Sequence, residues 1–290
     1  MCRLFGFRSV IRSQVHRSLL SAENALLHQS TQHPDGWGVG YYHGGVPHVI
    51  KSAATAFSDR VFHRISGVVS SETVVAHLRK ATQGTLNTLN AHPFQHGRWV
   101  FAHNGNVAEM DELRPRFLQE IHPSLQRFLL GETDSELLFL LLLDRLSQRV
   151  SLYEGTYPLA EAAKAVRETL DLVTSWTGGI SQDPARGADG TYLTFLLTNG
   201  QLLLGHQGGM PLYWSTHKHL CPERDNCPSY GLTCERPAPP LHPVAHLIFS
   251  SEPLQGENVW TPMEQGELLG VDERMRLHPF GTPTLAASAI

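Results

Sequence analysis

The sequence predicts an α+β fold in which two β-sheets pack against each other between layers of helices. Strands come first along the chain, two helices follow, and strands then resume, an order that does not fit a regular βαβ array. Of the 290 residues, 41% are hydrophobic, so the chain can bury a substantial core. We expect one domain over residues 1–280 that carries an inserted loop at 207–243, followed by a tail at 281–290.

Short apolar stretches bounded by turn residues predict five strands in the N-terminal part. These strands are Cys2–Phe7, Trp37–Tyr42, Val46–Ile50, Val74–Leu78 and Trp99–His103. His43-Gly44-Gly45 predicts a tight hairpin between two of them, because glycine supplies the positive φ angles of such a turn. A helix is predicted over Ser21–Gln29, between the first two strands.

Two longer helices are predicted in the middle of the chain, over Asp134–Arg149 and about Leu159–Trp176. The first begins with Asp134 and Glu136, whose charges complement the positive end of the helix dipole. Its stretch Leu137–Leu143 is apolar on every face, so we expect it to be covered on both sides.

A second set of strands is predicted near the C-terminus. Asn199-Gly200 separates the apolar stretches Tyr192–Leu197 and Leu202–Gly205, a strong hairpin signal. Two further strands are predicted at Ala245–Phe249 and Glu267–Val271.

Composition excludes several classes of function. Lysine and arginine total 23 against 27 acidic residues, so the net charge of −4 provides no basic surface for nucleic acid or an anionic membrane. The longest apolar run, Leu137–Leu143, is too short to span a bilayer, and the N-terminus has no apolar signal-peptide segment. We therefore expect a cytoplasmic protein. Four cysteines are too few for a disulfide scaffold in a chain of this length.

Common cofactor and nucleophile signatures are also missing from the sequence. It contains no Walker A motif, no H-E-x-x-H and no G-x-S-x-G. Asp35–Gly40 is glycine-rich, but strand residues follow it where a phosphate-binding helix would have to begin. No cofactor is expected.

Cys2 is the strongest candidate nucleophile because it follows the initiator methionine. Removal of Met1 would leave a cysteine with a free α-amine, whose pKa of about 7.7 to 8.0 makes it partly unprotonated at neutral pH. Such an amine can act as the base for the thiol of the same residue. A chance cysteine at position 2 is the alternative.

Three further segments carry groups that would suit an amino-acid amide substrate. The planar guanidinium of Arg79, after a predicted strand, fits a carboxylate, although a surface ion pair would also explain it. Asn104-Gly105 offers an amide and a close backbone N–H for an oxyanion hole, or is simply a turn. Asp134 could accept a substrate ammonium group, but Thr133 and Glu136 around it also form a capping box.

Taken together, these segments resemble the class II glutamine amidotransferases. The catalytic domain of that family has the N-terminal nucleophile (Ntn) hydrolase fold, a four-layer αββα sandwich, and the likeness is greatest to small stand-alone bacterial members of the YafJ type. The matching segments are Met1–Gly6, His33–Gly38, Arg79–Gly84, Ala102–Gly105, Gly131–Glu136, Ser251–Leu254 and Glu257–Trp260.

The resemblance implies a role for each matching residue. It makes Cys2 the nucleophile and base, Asn104 and Gly105 the oxyanion hole, and Arg79 and Asp134 the groups that hold the substrate carboxylate and amine. It further implies that the loop after Arg79 closes over glutamine. On the same likeness, His77 and Thr82 line the substrate pocket.

Cys221, Cys227 and Cys234, with His217, His219 and His242 nearby, form the other chemically notable cluster. Their spacings do not match the short C-x2-C pairs of common structural zinc sites. We expect a loop with incidental thiols and no metal.

Three functions are consistent with this sequence. The first is hydrolysis of the γ-carboxamide of glutamine to glutamate and ammonia, with any ammonia-accepting synthase on a separate polypeptide. The second is hydrolysis of γ-glutamyl amides, as in relatives that act in thiol metabolism. The third, a non-catalytic metal- or partner-binding protein, is disfavoured because all five implied site residues are intact.

Overall fold

The computed structural model describes residues 2–14, 19–20 and 24–281. Its helices are α1 (Leu26–Gln29), α2 (Arg60–Val68), α3 (Met110–Glu120), α4 (Pro123–Gln126), α5 (Asp134–Ser147) and α6 (Leu159–Thr177). Its strands are β1 (Arg3–Gln14), β2 (Trp37–His43), β3 (Val46–Ser52), β4 (Ser70–Leu78), β5 (Phe94–His96), β6 (Trp99–Asn106), β7 (Tyr192–Thr198), β8 (Leu203–His206), β9 (Tyr213–Ser215), β10 (His246–Ser250), β11 (Thr261–Pro262), β12 (Leu268–Val271) and β13 (Leu277–Pro279).

The strands form two antiparallel sheets. The first sheet has the order β11-β9-β10-β1-β4-β2-β3, and the second has the order β13-β12-β8-β7-β6-β5. β1 lies inside the first sheet, hydrogen-bonded to β10 on one side and to β4 on the other. The N-terminal strand is therefore held along both of its edges.

Three apolar clusters define four layers. The inner faces of the two sheets bury one cluster between them, which includes Leu4, Val75 and Leu196. A second cluster lies between the outer face of the first sheet and α1 and α2, and a third joins the second sheet to α3, α4, α5 and α6. The predicted αββα sandwich is confirmed.

Local chemistry explains where the two long helices begin and end. The Thr133 side chain accepts the N–H of Glu136 at the start of α5, which is one half of the predicted capping box. The Glu136 carboxylate instead accepts the N–H groups of Leu130 and Gly131 at 3.1 and 2.6 Å. α6 ends at Thr177 and is followed by Gly178, whose φ of 76° suits glycine.

Of the helix predicted at Ser21–Gln29, the structure describes residues 24–29, and these are helical only over Leu26–Gln29. Residues 21–23 lie outside the described part of the chain, and the described helix begins only at Leu26. Asn24 is instead tied to a distant loop, because its side chain donates to the carbonyl of Pro253 at 2.6 Å and accepts the N–H of Gln255 at 2.9 Å.

The segment 207–243, predicted as an inserted loop, contains β9 and a short 3-10 helix at Leu232–Cys234. β9 joins the first sheet through β10. Of the predicted tail, only residue 281 is described. Within the described residues, no helix is long and apolar enough to cross a membrane.

Replacement of Leu141 tests the layer between the second sheet and the helices. Leu141 lies in the apolar stretch of α5 and is fully buried. We expect Leu141→Ala to lower the free energy of unfolding by about 2–5 kcal/mol, because it leaves a cavity that its neighbours fill only in part. Urea denaturation followed by circular dichroism measures the change. The matched control is Leu130→Ala at an exposed position, and equal losses in the two variants would contradict this layer assignment.

Candidate active site

Cys2 lies directly across from Arg79, because the register of β1 and β4 pairs Arg3 with Leu78. Its Sγ is 3.3 Å from the backbone nitrogen of Lys80 and 3.4 Å from the carbonyl oxygen of the same residue. Burial raises the pKa of the Cys2 thiol, and the Lys80 hydrogen bond and the Arg79 charge oppose that rise only in part. The thiol is therefore protonated at neutral pH and needs a base to become a nucleophile.

The loop after β4 is folded over Cys2 and is held there by Asp35 and Gly36. Asp35 donates its N–H to the carbonyl of Arg79 at 3.1 Å, and Arg79 donates its own N–H to the carbonyl of Gly36 at 2.8 Å. The Asp35 carboxylate also accepts the N–H of Ala81 at 2.9 Å. These bonds fix the backbone on both sides of Lys80, so its amide faces the thiol.

The Arg79 side chain organises the same loop. Its guanidinium donates to the carbonyls of Gln83, Gly84 and Thr85 at 2.8, 3.3 and 3.1 Å. An arginine has five N–H groups, so two of them make no hydrogen bond to the described residues.

Gln83 ties the loop to the opposite side of the site. Its Nε2 donates to Oδ1 of Asn106 at 2.8 Å and to the carbonyl of Val107 at 3.3 Å. Asn106 is itself anchored, since its Nδ2 donates to the carbonyls of Ala188 and Gly190 at 2.7 and 3.0 Å. The sequence contained no local signal for this contact beyond a polar side chain within the expected substrate loop.

Beyond Gln83 the loop is anchored by Glu132 and Asn90. The Glu132 carboxylate accepts the N–H and the hydroxyl of Thr85 at 3.1 and 2.9 Å, and these bonds lower the pKa of Glu132. Asn90 donates to the carbonyl of Thr85 at 3.0 Å. Thr82, in contrast, is exposed on the loop, so this conformation does not bring it into the buried part of the site.

Asn104 and Gly105 lie at the end of β6 in the second sheet. Asn104 is buried, and its Oδ1 has no hydrogen-bond partner among the described residues. Rotation of the amide exchanges this oxygen with the NH2 group, so the side chain can offer a donor to a ligand. Gly105 cannot be replaced, because a Cβ there would lie 2.0 Å from the Tyr192 carbonyl oxygen and 2.2 Å from Nε2 of His103.

Asp134 is the first residue of α5 and is buried. Its Oδ2 accepts the N–H of Val107 at 2.7 Å, and its Oδ1 accepts the N–H of Ser135 at 2.8 Å. The carboxylate is thus connected through Val107 to the chain that continues from β6. Its charge acts on Cys2, since it raises the pKa of that thiol.

His77 is fully buried and connects the two sheets rather than facing an open pocket. Its Nε2 lies 3.1 Å from the carbonyl oxygen of His103, which can only accept, so Nε2 carries the proton. Burial lowers the pKa of His77 to about 3. Its ring also packs against that of His92, with centroids 4.2 Å apart.

The cysteine cluster of the 207–243 segment is not part of this site. Cys221, Cys227 and Cys234 line a cavity of about 470 Å³ on the outer face of the first sheet, together with His246. Among the described residues, no three His, Cys, Asp or Glu side chains are grouped so that they could hold a metal ion.

Comparison with known proteins identifies the family. A model for the family described as "Glutamine amidotransferases class-II" matches residues 1–276, and the chain belongs to this family. The chain is 24% identical over 313 residues to "Probable glutamine amidotransferase DUG3" of Saccharomyces cerevisiae, covering 97% of this chain and 84% of that protein. It is 40% identical over 74 residues to a gamma-glutamyl-hercynylcysteine sulfoxide hydrolase of Mycobacterium tuberculosis, covering 25% of this chain and 32% of that protein.

The fold is similar to that of known structures. A glutamine aminotransferase class-II domain protein from Silicibacter pomeroyi superposes with a TM-score of 0.60 at 19% identity, covering 97% of this chain and 99% of that chain. The similarity extends over almost the full length of both chains. The Ntn-type fold predicted from the sequence is therefore confirmed, and the family match confirms the predicted enzyme class.

Replacement of Gln83 tests whether its side chain keeps the loop closed over Cys2. Gln83→Glu has the same shape but places a carboxylate against two acceptors, Asn106 Oδ1 and the Val107 carbonyl. We expect N-ethylmaleimide to modify Cys2 about two- to tenfold faster in this variant, the range that corresponds to loss of one net hydrogen bond. Peptide mass spectrometry measures the Cys2 adduct separately from those of the other cysteines.

Leu86→Gln is the matched control for this experiment, because Leu86 lies in the same loop and is exposed. It should leave the Cys2 modification rate unchanged. If Gln83→Glu also reacted at the wild-type rate, Gln83 would not be what holds the loop.

Proposed function

We propose that the chain, after removal of Met1, hydrolyses the γ-carboxamide of glutamine to glutamate and ammonia through Cys2. The observation that carries the proposal is the position of Cys2, which is buried directly before β1 and whose Sγ is 3.3 Å from the backbone nitrogen of Lys80, next to Arg79. Family membership supports this assignment. A thiol with a raised pKa needs a base, and the free α-amine of a processed N-terminus is a base on the same residue.

The reaction then proceeds in two stages. The Sγ of Cys2 attacks the γ-carbonyl carbon of glutamine while the thiol proton moves to the α-amine of Cys2. The C=O π electrons move onto the carbonyl oxygen, which becomes an oxyanion. The Asn104 amide and the Gly105 N–H donate hydrogen bonds to that oxyanion. When this tetrahedral intermediate collapses, the C–N bond breaks and the α-ammonium group of Cys2 returns a proton to the departing ammonia. Water then hydrolyses the γ-glutamyl thioester, which releases glutamate and restores the thiol.

Two charged groups select the amino-acid end of the substrate. The unused N–H groups of Arg79 donate to the α-carboxylate, and Asp134 accepts from the α-ammonium. Arg79 directly follows β4 of the first sheet and Asp134 begins α5, which packs on the second sheet, so a substrate that contacts both charges must reach from one side of the site to the other. We assign His77 a supporting role between the two sheets. Thr82 belongs to the loop after β4. The released ammonia passes to water or to an acceptor on another polypeptide.

A γ-glutamyl amide hydrolase that uses the same residues is the second candidate. The likeness to the mycobacterial hydrolase, although limited to 74 residues, favours it. The ratio of kcat/KM for glutamine to that for γ-glutamyl dipeptides distinguishes the two. A ratio well below one would show that the chain is a γ-glutamyl amide hydrolase and not a glutaminase.

Replacement of Cys2 tests the nucleophile. We expect Cys2→Ala to lower ammonia release from glutamine roughly a thousandfold or more, since loss of a nucleophile removes the covalent route. Intact-mass spectrometry must first show that Met1 is absent from the active protein, and 6-diazo-5-oxonorleucine should label Cys2 only in that processed form.

Cys2→Ser is the matched control, because it keeps the shape and the α-amine but supplies a weaker nucleophile. It should bind glutamine with little change while it releases ammonia slowly. Full activity in protein that retains Met1 would contradict the proposed base.

A further inference from the structure

The side chain of His103 has no part in the chemistry above, although it immediately precedes Asn104. It is buried on the face of β6 opposite to Asn104. Its Nε2 lies 2.9 Å from the carbonyl oxygen of Tyr192 on β7, and its Nδ1 lies 2.9 Å from Oγ of Ser135 on α5. The ring thus bridges a neighbouring strand and the helix that begins with Asp134.

The partners of His103 determine the direction of both hydrogen bonds. A carbonyl oxygen only accepts, so Nε2 carries the proton, and in the neutral ring Nδ1 accepts from the Ser135 hydroxyl. Burial lowers the pKa of His103, which keeps the ring neutral. Ser135 therefore donates a hydrogen bond to His103 on β6, the strand that also carries Asn104 and Gly105.

Ser135 and Asp134 continue this network back to β6. The Ser135 N–H donates to Oδ1 of Asp134 at 2.8 Å, and Oδ2 of Asp134 accepts the N–H of Val107 at 2.7 Å. The start of α5 is consequently bonded to the β6 segment at two points, His103 and Val107. Asn104 and Gly105 lie between these two points.

The His103 ring also supports Gly105 directly. A Cβ on Gly105 would lie 2.2 Å from its Nε2, so the ring fills the space behind that residue. From the opposite sheet, His77 donates to the His103 carbonyl at 3.1 Å. The backbone around Asn104 is therefore held from three directions.

We propose that His103 and Ser135 are positioning residues that set the separation between the oxyanion-binding Asn104–Gly105 pair and the carboxylate of Asp134. This inference rests on the proposed function, because it assigns the two groups to the two ends of one substrate molecule. The hydrogen bond between His103 and Ser135 makes the reaction depend on a free α-ammonium group. When this hydrogen bond is removed, Asp134 no longer contacts the α-ammonium group of a substrate whose γ-amide is bound by Asn104 and Gly105.

The test compares glutamine with 5-amino-5-oxopentanoate, which is glutamine without its α-amine. In Ser135→Ala we expect kcat/KM for glutamine to fall about tenfold, mainly through KM, because one hydrogen bond that positions a charged group is lost. The kcat/KM for the analogue should change little. The preference for glutamine, which is the ratio of kcat/KM for glutamine to that for the analogue, therefore falls about tenfold. Ser135→Thr keeps the hydroxyl and should restore the wild-type preference.

His103→Gln supplies a second measurement. If His103 and Ser135 act through one bond, the variant with both replacements should show the same preference as Ser135→Ala alone.

The outcomes separate the inference from the proposed function. Equal losses for glutamine and the analogue in Ser135→Ala, with no recovery in Ser135→Thr, would mean a structural role only and would overturn the inference. An unchanged preference in Ser135→Ala would overturn it as well. Wild-type protein that lacks Met1 but hydrolyses neither glutamine nor γ-glutamyl amides would overturn the proposed function, and this inference with it.

Discussion

The antiparallel register of β1 against β4 is the constraint on which the site depends. Because Arg3 pairs with Leu78, Cys2 lies beside Arg79 and under the amide of Lys80. A shift of one residue would turn every side chain of β1 to the other face of the sheet. Pairing with β10 on the second edge holds this register, so the strand that directly follows Cys2 is anchored along both of its edges.

Burial then determines how the site can react. It raises the pKa of Cys2 and lowers the pKa of His77 to about 3, so the thiol is protonated and the nearby histidine is neutral. A neutral buried histidine is a poor base for this thiol, and its Nε2 is already used between the sheets. The proposed reaction therefore uses the α-amine of Cys2 as its base, while the surrounding polar groups supply geometry.

Much of the fold could be predicted from local patterns. The strands around Gly44-Gly45 and Asn199-Gly200 and the apolar helix at Leu137–Leu143 have periodic or turn signals that depend on neighbouring residues only. α3 was missed because Pro115 interrupts an otherwise polar helical stretch. The edge strands β5, β11 and β13 have only two or three residues each, too few for a period to be recognised.

The sequence by itself determined which chemical groups the proposed site contains, because Cys2, Arg79, Asn104, Gly105 and Asp134 occur in motifs of adjacent residues. Only the tertiary structure decided what holds them in place. Gln83 meets Asn106 across 23 residues of chain, His103 meets Ser135 across 32, and His103 meets Tyr192 across 89. Hydrogen bonds over such separations depend on how the two sheets and α5 pack, and packing leaves no periodic trace near either partner.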